Sequence, residues 1–151
     1  MLSSTWAFSF EECNVTQSCW FHPPGCEANT RECISGVRWS MEPDGIRIQL
    51  QTYVNDLDTT RPYYASLGFS YNQRMDDDTV VECVQPAGGT GKVQVSFNDE
   101  THNYVLPQAS SVLLEGGSSM LEDGLLTCDM KLLLDNVALV SNDTKFMVIT
   151  M

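Results

Sequence analysis

The stretch Tyr63-Tyr64-Ala65-Ser66-Leu67-Gly68-Phe69-Ser70-Tyr71-Asn72-Gln73-Arg74-Met75-Asp76-Asp77-Asp78-Thr79-Val80-Val81-Glu82-Cys83 decides the fold. Its first part, Tyr63 to Phe69, is aromatic and apolar with one glycine. Its last part, Thr79 to Val84, is β-branched and carries a cysteine. Both compositions suit a pleated, largely buried surface. Between them lie Met75 and three consecutive aspartates, Asp76, Asp77 and Asp78. The whole reads as strand, acidic turn, strand.

The flanks follow the same pattern. Val37 to Ser40 leads to Pro43-Asp44-Gly45, a turn signature. Ile46-Arg47-Ile48-Gln49-Leu50 then alternates strictly, as a half-buried strand does, so the two segments predict a hairpin. Beyond Cys83, Pro86 to Gly91 is a loop, and Val93-Gln94-Val95-Ser96-Phe97 alternates again. Ser111 to Leu114 is a short apolar run closed by Gly116-Gly117-Ser118-Ser119. Leu125 to Leu134 is apolar-rich and suits a strand between the turns Asp123-Gly124 and Asp135-Asn136. Phe146 to Ile149 predicts a last strand. No segment sustains a helical period. Short strands punctuated by turns predict an all-β, immunoglobulin-like antiparallel sandwich.

The 151 residues suit one domain. Within it, residues 1–33 predict a cysteine-rich, mostly irregular leader packed on a sandwich spanning 34–151. The leader holds Cys13, Cys19, Cys26 and Cys33, expected to pair among themselves in any of three ways. None of the 6 cysteines forms a Cys-x-x-Cys pair, so disulfides in an oxidising compartment are expected rather than zinc. The sequons at Asn14 and Asn142 point the same way, to an extracellular or luminal glycoprotein. With neither a signal peptide nor an apolar run long enough to span a bilayer in the sequence, the chain is expected to be part of a longer secreted or membrane protein. A net charge of -12 argues against nucleic acid as a partner, because phosphate contacts need clustered cations.

Catalytic patterns are sparse. The chain has 2 histidines, His22 and His102, both in polar or Pro-rich surroundings, and no Gly-x-Ser-x-Gly elbow. Asp76, Asp77 and Asp78 offer hard oxygen donors to a cation, though not at the spacing of a calcium-binding loop. Met75 offers a thioether, which can fill a strand-end gap or serve as a haem axial ligand.

Tyr64 to Ser70 followed by Met75 to Cys83 resembles the core motif of DOMON domains, nearest to animal ferric-chelate reductase-like (stromal cell-derived receptor) proteins. The four-cysteine leader, Trp39, Val95 to Asn98 and Asp123 to Cys128 extend the resemblance over nearly the whole chain from Phe10. It implies a β-sandwich outside the cytoplasm, often preceding a transmembrane b-type cytochrome. Related domains bind haem b between methionine and histidine, and others are thought to bind sugars or serve adhesion. On matching positions, Met75 falls on the axial methionine, and Cys83 and Cys128 fall on two strands that a disulfide would link. Asp76 stands where relatives carry glycine, and neither histidine matches the family's second ligand. The expected function is a haem electron-transfer module for ferric-chelate reduction. The alternative is a carbohydrate- or protein-binding module without haem, with Tyr71 or Trp20 as a stacking aromatic.

Overall fold

In a computed structural model, residues 10–74 and 76–140 are described. Met75, the sequon at Asn142 and the expected strand Phe146 to Ile149 lie outside them. The strands are β1 (Ser18–His22), β2 (Ser35–Glu42), β3 (Gly45–Tyr53), β4 (Tyr63–Phe69), β5 (Asp78–Gln85), β6 (Lys92–Asn98), β7 (Asn103–Val105), β8 (Leu114–Glu122) and β9 (Leu125–Leu133). An α-helix, α1 (Pro107–Leu113), joins β7 to β8. The strands form two antiparallel sheets, ordered β1-β2-β3-β9-β8 and β4-β5-β6-β7. They pack face to face as a sandwich.

Alternation decides which side chains enter the core. On β3, Ile46, Ile48 and Leu50 are buried; on β9, Leu126, Cys128, Met130 and Leu132. They meet Val81 and Cys83 of β5 and Val95 and Phe97 of β6. Each fully buried aliphatic side chain contributes about 1.5–3 kcal/mol of transfer free energy. A disulfide between Cys83 and Cys128 crosses this core from β5 to β9, with Cα atoms 5.9 Å apart. Two antiparallel sheets tied by a central bridge give the immunoglobulin-like character.

Turn chemistry matches the sequence in two places. Pro43-Asp44 connects β2 to β3, and Gly45 then passes so near β9 that a Cβ would lie 2.2 Å from the Leu132 carbonyl oxygen. Asp123 and Gly124 both take positive φ, 49° and 78°, as a tight hairpin between β8 and β9 demands.

Three local features differ from the sequence reading. The leader is not irregular throughout, because Ser18–His22 pairs with Ser35–Trp39 and extends the larger sheet. Its five residues are too few to show a period. Ser111 belongs to α1, a seven-residue helix that opens on Pro107 and buries Ala109 and Leu113, four residues apart. Gly116 to Ser119 does not close an element but lies inside β8, where the register slips between Glu115 and Ser118. Gly117, at φ 123°, hosts this bulge; a Cβ there would meet Val93 Cγ2 at 2.3 Å.

The leader has its own small core, Phe21 with Cys26 and Cys33, against which Phe10 stacks at 4.7 Å from Phe21. Bridges Cys13–Cys19 and Cys26–Cys33 close it.

Candidate functional site

The two outer faces of the sandwich differ. On the larger sheet, charges neutralise one another. Arg38 binds Glu12 at 2.9 Å and donates to Gln49, whose amide donates to Asp129 at 2.6 Å. Asp129 also holds Arg47 at 2.8 Å. Lys131 lies 2.8 Å from Asp44 and 3.1 Å from Glu42. The hydrogen bond that Lys131 donates to Asp44, then the one it donates to Glu42, raises its pKa. This face is a closed polar ladder.

On the smaller sheet, β5 is buried on both faces. Thr79, Val81 and Cys83 point to the core, whereas Asp78, Val80, Glu82 and Val84 point away from it. Yet Val80 is 3% and Glu82 7% exposed. They form the floor of a cleft of about 610 Å³. Tyr63, Tyr64 and Ser66 of β4 and Pro62 wall one side; Asn103 and Val105 of β7 wall the other, with Gln94 and Asn98 of β6 between. Glu82 accepts a 2.7 Å hydrogen bond from the Gln94 amide, which leaves its second carboxylate oxygen to other donors. Asn103 donates to Ser96 at 2.9 Å and to Asn98 at 2.8 Å. Tyr64 is 71% exposed beside these groups. The cleft thus sets an aromatic face next to carboxylate and amide side chains already fixed by one another.

Sequence reasoning missed this site. The signal was present in Val80-Val81-Glu82-Cys83-Val84, apolar on both faces of one strand around a single carboxylate. A strand of a two-layer sandwich needs only one apolar face.

The residues singled out by sequence fall elsewhere. Asp76 is half-buried and accepts from Asn72 at 3.1 Å. Asp77 is exposed at φ 50°. Asp78 is buried at the start of β5, and its Oδ1 has no hydrogen-bond partner. Among the described residues, no group of three or more His, Cys, Asp or Glu side chains is placed to hold a metal ion. Tyr71 is exposed in the β4–β5 connection, and Trp20 projects from β1 beside His22, away from the cleft. Asn14 is exposed at φ 61° in the turn closed by Cys13–Cys19.

His102 lies in a polar turn, as its sequence surroundings suggest. This is the β6–β7 turn, and the pairing of Asp78 with Asn98 puts it at the same end of the sheet as the β4–β5 connection. Its Nδ1 shares a 2.6 Å hydrogen bond with the Thr101 hydroxyl, and among the described residues no partner to its Nε2 is seen. Asp99 builds the turn. Its carboxylate accepts from the backbone N–H groups of Thr101 and His102, which lowers its pKa to about 2.

Fold and site define an all-β, disulfide-bonded sandwich with a polar-aromatic cleft on one outer face. Three disulfides fit an oxidising compartment. Among the described residues no helix is long and apolar enough to cross a membrane. The chain matches no protein-family model, no curated protein and no solved structure.

Proposed function

We propose that this chain is an extracellular or luminal recognition module, of the DOMON type its sequence resembles, that binds carbohydrate in the cleft on its four-stranded sheet. One observation carries the reading: exposed Tyr64 stands beside the buried Glu82–Gln94 pair and the Asn98 and Asn103 amides. A sugar hydroxyl is donor and acceptor at once, so it suits carboxylate and amide neighbours. The apolar face of the ring suits an aromatic wall. A volume of about 610 Å³ falls within the range of small-molecule sites. Titration calorimetry against the best hits of a glycan array tests the reading. Tyr64→Ala, at an exposed position, is expected to weaken binding about tenfold or more. Glu82→Gln is expected to weaken it while keeping the fold. A protein that binds no glycan, or binds equally well with both substitutions, refutes it.

A second reading follows from the position of His102. The resemblance implies haem b held by Met75, with electrons passing from a membrane b-type cytochrome to a ferric chelate. The second ligand would be His102, whose Nε2 meets no hydrogen-bond partner among the described residues while Thr101 orients the ring through Nδ1, the outer hydrogen bond usual for ligating histidines. Bound there, haem would supply one-electron chemistry, and the protein would hold it and tune its potential. Absorption spectra of haem-loaded protein read this directly.

A further inference from the structure

The smaller sheet ends on β4, and this edge lacks the protection that the other edges have. Exposed edges are normally blunted by brevity, charge, proline or a bulge. β1 has five residues and is tied down by Cys13–Cys19; β7 has three. β8 carries Glu115, Glu122 and the glycine bulge. β4, Tyr-Tyr-Ala-Ser-Leu-Gly-Phe, has seven residues, no charge, no proline and an unbroken register with β5. Among the described residues no backbone hydrogen bond reaches its open side. Among the described residues, alternate N–H and C=O groups along it therefore have no backbone partner.

The open side borders a groove. β4 packs over β3 and β9, so β2 and β1 project beyond it as a shelf. The groove between shelf and edge holds about 270 Å³ and is lined by Trp20, Val37, Leu50, Ala65 and Leu67, with Ser35 and Thr52 among its polar neighbours. No charged side chain lines it. Trp20 is 55% exposed at its rim.

We infer that β4 takes up an extended peptide from a partner protein as an added antiparallel strand, with alternate apolar side chains seated in the groove against Trp20 and Leu67. Strand addition draws affinity from main-chain hydrogen bonds and specificity from pockets for every second side chain, and both are present here. The shelf selects a single strand over a second copy of the chain. Neighbouring strands lie about 4.8 Å apart, so β2 and β1 reach past any two-fold axis relating two β4 edges and would run into their own symmetry mates. The uncharged lining calls for uncharged residues at the buried positions, and the net charge of -12 favours a basic residue at the exposed ones. This inference rests on the open edge rather than on the carbohydrate cleft, which lies across β4 on the outer face and shares Tyr64 and Ser66 with the groove.

The test is amide hydrogen exchange on the full chain, with a peptide alternating valine and threonine and ending in lysine. The expected result is at least tenfold slower exchange at alternate β4 amides, starting from fast exchange in the free chain. Methylating the peptide nitrogens on its pairing edge should abolish the protection. Trp20→Ala, a change at an exposed site, should weaken binding about tenfold. Four results would overturn the inference: no protection at millimolar peptide; protection unaffected by N-methylation; β4 amides already protected in the dilute free chain; or protection that rises with protein concentration alone, the mark of a second copy.

Discussion

Removing the central disulfide should cost more stability than removing either leader bridge. Cys83 and Cys128 are 45 positions apart, whereas Cys13–Cys19 and Cys26–Cys33 span 6 and 7. If a bridge acts mainly by restricting the unfolded chain, loop length sets its worth: about 4 kcal/mol for the central bridge and about 2 kcal/mol for each leader bridge. Both central half-cystines are buried, at 0% and 4% exposure, so the paired change Cys83→Ala with Cys128→Ala also leaves a void that adds to the loss. Against a total of about 5–15 kcal/mol for a domain, such a loss brings the sandwich near its unfolding threshold. Urea unfolding followed by circular dichroism measures it. With a slope of about 2 kcal/mol per molar urea, the midpoint should fall by about 2 M for the central pair and about 1 M for Cys13→Ala with Cys19→Ala. A central variant that loses less than the leader variant would refute the loop-length reasoning. The Cys83–Cys128 bond would then be a passenger in a core that packs without it.

Two further outcomes are expected. Haem-loaded protein should give a low-spin spectrum that turns high-spin in His102→Ala; an unchanged spectrum, or no stoichiometric uptake by folded protein, removes His102 and the haem reading with it. Asp99, whose pKa is lowered to about 2 by backbone N–H donors, stabilises the β6–β7 turn above the ordinary carboxylate pKa and loses that contribution as pH falls from about 4 to about 2. A carboxyl titration by NMR with a midpoint near 4, or Thr101 and His102 amides unaffected by pH across that window, would contradict this.

The strands with strict alternation, such as Ile46 to Leu50 and Val93 to Phe97, were legible because period two survives wherever one face meets the core. The turns at Pro43-Asp44 and Asp123-Gly124 were legible because each needs a backbone few residues provide. What escaped depends on neighbours in space. Ser18–His22 is a strand only because β2 lies beside it, and its own composition is indistinct. Pro107–Leu113 is too short to show a period. The glycines at 116 and 117 read as punctuation, yet the same freedom serves a bulge inside a strand when Val93 crowds from the facing sheet. The candidate site was hidden for a related reason. Its members come from four strands, and no two of the residues that matter most, Tyr64, Glu82, Gln94 and Asn103, are closer than nine positions in sequence.

The contrast between the two outer faces gives the strongest reason for placing function on the smaller sheet. An outer face that serves only to meet water needs charges that neutralise one another, and the larger sheet has them in the Glu12–Arg38–Gln49–Asp129–Arg47 series and around Lys131. The smaller sheet instead buries Val80, Glu82 and Gln94 on the side away from the core. Burying a carboxylate costs free energy that one amide hydrogen bond only partly offsets. A face built for solvation alone would carry no such cost. The same sheet leaves Tyr64 largely bare and its β4 edge uncharged, where a solvated edge would carry lysine or proline. Three departures from the rules that make a sandwich soluble and solitary therefore fall on one strand pair, β4 and β5. Departures of that kind gather where a protein meets something other than water.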